Sequence, residues 1–529
     1  MDTEKTGATF RSPYPDVEIP DVTFTELVLS RAEGLGEKPA LIDGTSGRAL
    51  TYAALANGAQ RAAAGLYARG FRRGDVLAVY SPNLPEYALA VHATASLGGV
   101  ITAANPLYTA DELAAQLRDS EAKYLLTVPP FLETAREAAV RSNVREVFVF
   151  GEAEGATPFA ELLGDGGQPP GAAIDPREDL LFLPYSSGTT GMPKGVMLTH
   201  RNLVANIAQI TTGLDVVRED DTTIAVLPFF HIYGLGPIMN AGLYVGAKTV
   251  TLPRFELETF LRTIQDYRVT IAFVVPPIAL ALARHPLVED YDLSSLRLVF
   301  SGAAPLDDGL ARACATRLGC PVRQGFGLTE ASPAVLVTPV ESSLAKPAAI
   351  GPPIANTECA VADPDTGAFL GPYERGELWV RGPQVMKGYL NRPEASAAAI
   401  TPEGWLRTGD IGYADEEGYL YVVDRLKELI KYKAFQVAPA ELEAVLLSHP
   451  RVSDAAVVGV PDEESGEIPK AFVVADPEAE AAEIAAFVAR KVAPHKKVRA
   501  LEFVEEIPKS PTGKILRRLL TESSVKQAG

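Results

Sequence analysis

SSGTTGMPKG, at residues 186–195, is the most informative stretch of the chain. It follows the short apolar run Leu180–Leu183, so we expect a strand that ends in a loop of small residues. Small residues let backbone N–H groups approach an anion, the Ser and Thr hydroxyls add donors, and Lys194 adds a positive charge. Pro193 before that lysine excludes the Walker pattern. The stretch therefore predicts a phosphate-binding loop, with an ordinary flexible turn as the alternative.

Around this loop, short apolar strands alternate with helical patterns, which predicts an α/β fold. The patterns predict a helix over Thr51–Gly70, a strand over Val76–Tyr80 and a helix over Glu86–Leu97. From about Ile350 glycines punctuate the strands, as at Glu377–Arg381, which indicates an antiparallel or barrel-like portion.

The C-terminal part of the chain has the pattern of a separate small α/β domain. Pro439 begins a helix, and Ala481–Lys491 has the spacing of another. The charged run Asp424–Glu428 stands at the boundary in place of a Pro/Gly-rich linker. We therefore expect one domain over residues 1–425 and a second over residues 426–529.

The composition excludes several kinds of partner. The 529-residue chain has a formal net charge of −18, with 49 Lys and Arg against 67 Asp and Glu, which argues against nucleic acid. The polar N-terminus does not resemble a signal peptide, and the apolar stretch Tyr87–Ala104 is better explained as a buried helix and strand than as a membrane span. Cys314, Cys320 and Cys359 predict buried thiols in a reducing cytoplasm.

Further motifs follow the phosphate loop along the chain. They are QGFGLTE at residues 324–330, TGD at 408–410, DRLK at 424–427 and PTGK at 511–514. Together with the loop they resemble the signature motifs of the adenylate-forming superfamily, which includes acyl-CoA synthetases, peptide-synthetase adenylation domains and beetle luciferases. Within it the chain is most similar to the 4-coumarate–CoA ligase group, through FHIYGL at residues 230–235 and MKGYLNRPEA at 386–395.

The resemblance implies an ATP-dependent acid–CoA ligase. The acid and ATP would give an acyl-adenylate and pyrophosphate, and coenzyme A would then take the acyl group and release AMP. Mg²⁺ would accompany ATP, and the acid would be similar to cinnamate or 4-coumarate. The implied fold is a large N-terminal domain of layered α/β subdomains with a barrel-like portion, plus a small mobile C-terminal α/β domain that rotates about Lys427. We expect a monomer or a weak homodimer.

The resemblance also implies roles for the matched residues. Lys514 would bring its charge to the acid's carboxylate and the α-phosphate, and His231 would orient the acid. Thr329 would donate to the α-phosphate, and Glu330 would bind Mg²⁺. The expected ATP and AMP contacts are Ser186, Ser187, Gly188, Thr189, Thr190, Gly191, Lys194, Ala303, Ala304, Gln324, Gly325, Phe326, Gly327, Thr329, Asp410, Arg425, Lys427 and Lys431. The expected acid pocket consists of Phe230, Tyr233, Pro237, Gly302, Gly325, Pro333, Ala334 and Val335, and the expected coenzyme A contacts are Arg254, Lys433 and Ala434.

Two residues depart from the family pattern. Relatives typically carry Gly where this chain has Ala434, which leads to the hypothesis that adenylation is intact while thioester formation is slowed. Phe300 stands where plant coumarate ligases often carry Lys, so a medium- or long-chain fatty acid is an alternative to an aryl acid. The superfamily motifs are also compatible with a luciferase-like oxidase, or with a regulator that only binds a nucleotide.

Overall fold

The computed structural model describes residues 8–164, 171–186, 193–346, 348–433, 435–462, 465–511 and 513–521. Within these ranges the chain is a mixed α/β protein with four β-sheets, as the alternating patterns predict. The α-helices in them are α1 (Phe24–Val28), α2 (Ala32–Leu35), α3 (Tyr52–Ala68), α4 (Glu86–Ser96), α5 (Ala110–Asp119), α6 (Leu132–Val140), α7 (His200–Thr211), α8 (Ala241–Val245), α9 (Leu257–Tyr267), α10 (Pro276–Arg284), α11 (Asp308–Leu318), α12 (Pro393–Ala399), α13 (Pro439–Leu447) and α14 (Ala481–Lys491).

The first sheet carries the strand that leads into the 186–195 stretch. Its strands are β4 (Val76–Tyr80), β5 (Val100–Ala104), β6 (Tyr124–Thr127), β7 (Glu146–Val149), β8 (Thr157–Pro158), β9 (Leu180–Phe182), β10 (Tyr185–Ser186), β11 (Lys194–Thr199) and β20 (Gly388–Tyr389). Strands β4 to β7 pair in parallel. Strand β20 pairs with β11, which brings a segment from far along the chain to the edge of the loop.

The second sheet forms another wall of the site. Its strands are β2 (Pro39–Asp43), β3 (Ala49–Thr51), β12 (Thr222–Ala225), β13 (Lys248–Thr251), β14 (Ile271–Val274), β15 (Leu298–Ser301), β16 (Val322–Gly327) and β17 (Ala334–Val337). Strands β12 to β16 pair in parallel, whereas β17 runs antiparallel to β16. Because ligands of open α/β sheets bind beyond the carboxyl ends of the parallel strands, the ends of β14, β15 and β16 are where a site is expected.

The third sheet is the antiparallel portion expected after Ile350. Its strands are β1 (Thr9–Arg11), β18 (Glu358–Ala362), β19 (Gly376–Arg381), β21 (Leu406–Ala414) and β22 (Leu420–Arg425), and neighbouring strands pair antiparallel. They follow one another in the order β1, β18, β19, β21, β22. The strands therefore pair in an open order, and only β21 and β22 are joined by a short connection, which contains Gly418.

The fourth sheet belongs to the C-terminal part of the chain. It contains β23 (Ile430–Tyr432), β24 (Phe435–Val437), β25 (Val452–Asp462), β26 (Gly466–Ala475) and β27 (Ala500–Phe503). A separate apolar core lies under it, with Leu442 and Leu446 of α13 and Ile484 and Val488 of α14. Asp424, at the end of β22, accepts a hydrogen bond at 2.9 Å from the backbone N–H of Ala440 in α13. A carboxylate on the third sheet thus caps a helix of the C-terminal part.

Helix α3 shows why the sequence could predict the positions of helices. The Thr51 side chain accepts a hydrogen bond from the N–H of Ala54 and caps the helix, whose Leu55, Ala62 and Leu66 are fully buried. The predicted range Thr51–Gly70 is confirmed to within two residues, because capping and helical spacing are local properties.

The apolar stretch at residues 87–104 is a buried helix followed by a buried strand, as expected. Across the described ranges, no helix combines the length and the apolar character needed to cross a membrane. The three thiols of Cys314, Cys320 and Cys359 are free and buried, in agreement with the sequence-based prediction.

Candidate active site

A cavity of about 3060 Å³ lies where the first, second and third sheets meet the C-terminal part of the chain. The wall contains Thr329 and Glu330 after β16, His231 after β12, Arg425 at the end of β22 and Lys514. Residues that are far apart in the sequence therefore share one space, and the four expected catalytic residues are among them.

The phosphate loop is described only at its ends. Ser186 pairs with Lys194 across β10 and β11, and both residues line the cavity. The expected contacts Ser187, Gly188, Thr189, Thr190 and Gly191 lie outside the described residues. Their roles stay predictions.

Glu330 lies on a single 3₁₀ turn, Thr329–Ala331, directly after β16. Its Oε1 accepts hydrogen bonds from Ser186 Oγ at 3.0 Å and from the Tyr389 hydroxyl at 2.9 Å. Both hydrogen bonds are accepted by Oε1, so the other carboxylate oxygen, Oε2, can bind a cation. The two hydrogen bonds hold this carboxylate beside Ser186, at the start of the phosphate loop.

Tyr389 is a site residue that the sequence did not assign. Burial raises the pKa of its hydroxyl, and Glu330 raises it further, so the group stays a hydrogen-bond donor. The Lys194 ammonium lies 4.9 Å from the centroid of the Tyr389 ring, a cation–π distance. The tyrosine within the motif MKGYLNRPEA was the sequence feature that could have indicated this site residue. Only the pairing of Tyr389 with Val196 brings it to the loop.

Asp410 and Arg425 face each other on β21 and β22. Arg425 Nε is 3.1 Å from Asp410 Oδ1, and Asp410 Oδ2 is buried with no hydrogen-bond partner among the described residues. Burial raises the pKa of Asp410 to about 6, although Arg425 and Lys514 act in the opposite sense. Its neighbours Gly409 and Arg425 line the cavity, whereas Asp410 itself is not among the lining residues. An acceptor without a donor is costly when buried, so Oδ2 suits a ligand hydroxyl that reaches it.

Lys514 enters the cavity from a tight turn of the C-terminal part. Gly513 has φ of +76°, and its N–H donates to the Ser510 carbonyl at 2.8 Å. A Cβ at position 513 would lie 3.1 Å from Val275 after β14, so glycine permits both the conformation and the close approach. Burial lowers the pKa of Lys514 and Arg425 lowers it further, whereas Glu428 and Asp410 raise it. The domain orientation is the one in which this lysine faces the site.

His231 is half-buried at the border between the Lys514 side and an apolar pocket. Its Nδ1 accepts a hydrogen bond from the backbone N–H of Tyr233 at 3.2 Å, which assigns the ring proton to Nε2. Burial lowers the pKa of His231 to about 4, and the nearby Lys514 charge lowers it further. A neutral imidazole that donates from Nε2 can orient a carboxylate without adding charge.

The expected acid pocket is largely present in the cavity wall. The lining residues among those expected are Phe230, Tyr233, Pro237, Gly302, Gly325, Pro333 and Ala334. Tyr233 donates to the Phe300 carbonyl at 3.2 Å, and a Cβ at Gly302 would lie 2.9 Å from the Tyr233 ring. These contacts hold the tyrosine ring against the pocket wall.

The prediction for Val335 is wrong. Its side chain is fully buried in the core, while Ala334 and Leu336 on either side line the cavity. The pairing of β17 with β16 is irregular here: Leu336 faces Phe326 and Ala334 faces Gly327, so Val335 is the extra residue between them. Leu336 and Val337 of the same strand line the cavity, although the motifs did not indicate them.

The remaining expected contacts divide into two groups. Ala303, Phe326, Gly327, Lys427 and Lys431 line the cavity. Ala304 and Gln324 are outside its wall, and the Gln324 Oε1 accepts from the Leu306 N–H at 3.4 Å. Arg254 and Lys433 are exposed and also lie outside the wall, and Ala434 lies outside the described residues.

The chain is similar to known proteins over nearly its full length. Residues 29–390 match the family model of the AMP-binding enzyme, and residues 441–514 match that of the AMP-binding enzyme C-terminal domain. The 4-coumarate–CoA ligase 1 of Solanum tuberosum is 43% identical over 98% of this chain and 97% of its own length. The 4-coumarate–CoA ligase 2 of Nicotiana tabacum is 42% identical with the same coverage.

Solved structures match over a similar share of the chain. The anthranilate CoA ligase AuaEII in complex with anthranoyl-AMP is similar with a TM-score of 0.89 and 28% identity, covering 96% of this chain and 99% of its own. A fatty acyl CoA synthetase of Mycobacterium tuberculosis is similar with a TM-score of 0.74 and 31% identity, covering 96% of this chain and 99% of its own.

Proposed function

Because the chain belongs to the AMP-binding enzyme family, we propose that it is an ATP-dependent acid–CoA ligase of the 4-coumarate–CoA ligase type. One observation carries the proposal: Lys514 of the C-terminal part shares a cavity with Glu330, His231 and an apolar pocket. Such a cavity accepts an acid, a triphosphate and a cation together.

In the first half-reaction a carboxylate oxygen of the acid attacks the α-phosphorus of ATP. The bond between the α-phosphorus and the bridging oxygen breaks, and pyrophosphate leaves. Lys514 neutralises charge on the carboxylate and the α-phosphate, which otherwise repel each other. Thr329 donates to the α-phosphate, and His231 donates from Nε2 to the acid's carboxylate.

Glu330 would hold Mg²⁺ together with phosphate oxygens, and the ion would supply charge neutralisation as pyrophosphate forms. No cluster of three or more His, Cys, Asp or Glu side chains suited to a metal occurs in the described ranges. This fits an ion that binds with the nucleotide, because Mg²⁺ at nucleotide sites uses one or two carboxylates and substrate phosphates.

In the second half-reaction the thiol of coenzyme A attacks the acyl carbonyl, and AMP leaves with the electron pair of the broken C–O bond. Lys514 lies near enough to His231 to lower the pKa of its imidazole, and we propose that the C-terminal part moves to let a thiol approach the acyl group. We propose Lys427 as the hinge between domains at residues 1–425 and 426–529, with Arg254, Lys433 and Ala434 meeting coenzyme A after the rotation.

The proposed acid is an aryl acid of the cinnamate or 4-coumarate kind, because Tyr233, Gly302 and Ala334, which line the expected acid pocket, are aromatic or small. A fatty acid is the second candidate, favoured by the likeness to a fatty acyl CoA synthetase. We also propose that the protein acts in the cytoplasm, supported by its three free, buried thiols. The monomeric or weakly dimeric state stays a prediction.

The test is ATP–pyrophosphate exchange with a panel of carboxylic acids, followed by mass detection of CoA thioesters without oxygen. We expect cinnamate or 4-coumarate to drive exchange and to give the thioester. If no acid drives exchange, the proposed function is wrong. If exchange occurs but oxygen is required for product, the luciferase-like oxidase is correct instead.

A further inference from the structure

Three neighbouring strands carry the ends of the phosphate loop. Strand β11 pairs with β10 and also with β20. Ser186 on β10 and Tyr389 on β20 both donate to Oε1 of Glu330, so one carboxylate joins the two outer strands. A second carboxylate, which the proposed mechanism does not use, also contacts both β10 and the segment after β20. It belongs to Asp119, the last residue of α5.

The contact between Asp119 and β10 is a hydrogen bond from a tyrosine. Tyr185 donates its hydroxyl to Asp119 Oδ2 at 2.8 Å. Burial raises the pKa of Tyr185, and the hydrogen bond to Asp119 raises it further, so the hydroxyl stays a donor. The Asp119 side chain is only 25% exposed, so water screens this bond less than it would at the open surface. Tyr185 directly precedes Ser186, so neighbouring residues at the start of the phosphate loop bind two different carboxylates.

The Tyr185 ring lies over the middle strand of the three. A Cβ on Gly195 in β11 would be 3.2 Å from the Tyr185 ring and 3.4 Å from the Cβ of Leu390, which directly follows β20. Glycine at position 195 therefore allows side chains from both sides of β11 to approach each other over it. The ring that bonds to Asp119 is thus packed against the strand that leads out of the phosphate loop.

The segment after β20 reaches Asp119 as well. The Asn391 side-chain amide donates to the Asp119 carbonyl at 3.4 Å, and Arg392 Nη2 is 3.6 Å from Asp119 Oδ1. A carboxylate at the C-terminal end of a helix is unfavourable, because the free carbonyls there already carry negative charge. The amide and the guanidinium offset this charge. The Arg392 side chain is half exposed, so its ion pair contributes little, and the Tyr185 bond is the stronger contact.

We propose that Asp119 is a positioning residue for MgATP, because it joins β10 to the segment after β20. It thereby holds three side chains in place for the triphosphate: Ser186, Lys194 and Tyr389. The proposal rests on the proposed function, which assigns the β- and γ-phosphates to this loop. Asp119 acts through Tyr185 and not on the ligand itself. Its loss weakens the binding of the triphosphate, while the nucleoside contacts on β16 and β21 remain.

Equilibrium binding of MgATP and of AMP, measured by calorimetry, tests the proposal with a readout that a general loss of stability would not move. AMP lacks the β- and γ-phosphates and is the internal reference. In Asp119→Ala we expect the Kd for MgATP to rise about tenfold relative to the Kd for AMP, because a lost hydrogen bond to a charged group changes binding by about that factor. An unchanged ratio of the two Kd values would overturn the proposal. Wild-type protein that binds neither nucleotide would contradict the proposed function as well.

Tyr185→Phe gives a second readout, because it removes only the hydroxyl. It should raise the same Kd ratio by a similar factor, and adding Asp119→Ala to it should change the ratio little further, since both substitutions remove one shared hydrogen bond. Fully additive effects would contradict the proposal. Asp111→Ala is the matched control, because it removes an 87% exposed carboxylate from the first turn of the same helix and should leave the ratio as in the wild type. If Asp119→Ala does not fold, Tyr185→Phe decides.

Discussion

Tyr389 donates its hydroxyl to Oε1 of Glu330 at 2.9 Å, and Ser186 donates to the same oxygen at 3.0 Å. One carboxylate oxygen is thus fixed by a strand from residues 388–389 and by the strand that leads into the phosphate loop. This arrangement orients the other oxygen before a cation arrives, and preorganised ligands bind a metal with less loss of entropy.

Tyr389→Phe tests this positioning role. The variant removes one hydrogen bond to a charged group, so we expect the KM for MgATP to rise about tenfold, while the KM for the acid changes little. Steady-state exchange at varied Mg²⁺ measures both constants. Tyr373→Phe is the matched control, because Tyr373 is 60% exposed. An unchanged dependence on Mg²⁺ would show that Tyr389 does not position Glu330.

Lys514→Gln should separate the two half-reactions. We expect ATP–pyrophosphate exchange to fall by about a hundredfold or more, because one preorganised charge at a developing anion is worth that much. Transfer from a synthetic acyl-adenylate to coenzyme A should be nearly unaffected, because the rotation that we propose withdraws Lys514 before that step. Lys497→Gln in the same part of the chain is the control for charge removal. Equal losses in both half-reactions would argue for a structural role of Lys514.

Gly513→Ala probes the contact between the Lys514 turn and the large domain. The added Cβ would meet Val275 at 3.1 Å in a backbone with φ of +76°, so we expect adenylation to slow by about tenfold. Gly319→Ala is the control, because it introduces the same kind of backbone strain at φ of +68° while the added Cβ would have no atom within 4 Å. This variant should lower Tm without slowing adenylation. Equal rates for Gly513→Ala and the wild type would show that this contact does not matter for adenylation.

Asp410→Asn tests the buried carboxylate through pH. Burial raises the pKa of Asp410 from 3.8 to about 6, so the native state holds an extra proton between these pH values. The contribution of Asp410 to stability therefore falls as pH rises from about 4 to 6 and is constant above that range. Asparagine does not titrate, so the Tm of Asp410→Asn relative to the wild type should rise over the same range in thermal unfolding. The exposed Asp266→Asn is the control, and parallel pH profiles for Asp410→Asn and the wild type would contradict the prediction.

Local properties of the sequence predicted much of the fold. Helix α3 has a threonine cap and buried residues at helical spacing, and both signals lie within the helix. The motifs around Glu330, Asp410 and Lys514 indicated that these side chains would serve one site. Their roles were implied by the resemblance of these motifs to those of the adenylate-forming superfamily, and the residue types suit those roles.

What the sequence did not predict depends on pairing between distant segments. Tyr389 reaches Glu330 only because β20 pairs with β11, and no local pattern encodes that pairing. Val335 was expected in the pocket but is buried in the core, because the pairing of β17 with β16 is irregular at this residue and no local pattern encodes such an irregularity. The cap that Asp424 provides to α13 likewise joins two segments whose relative position is a tertiary property.

The formation of an acyl-adenylate can be tested by following oxygen from the acid to AMP. The protein is incubated with ATP, Mg²⁺, coenzyme A and cinnamate labelled with heavy oxygen in its carboxylate, and the AMP is examined by mass spectrometry. We predict that each AMP formed carries one labelled oxygen, because the carboxylate oxygen bonded to phosphorus stays with AMP when the thiol displaces it. Formation of cinnamoyl-CoA together with unlabelled AMP would contradict an acyl-adenylate intermediate.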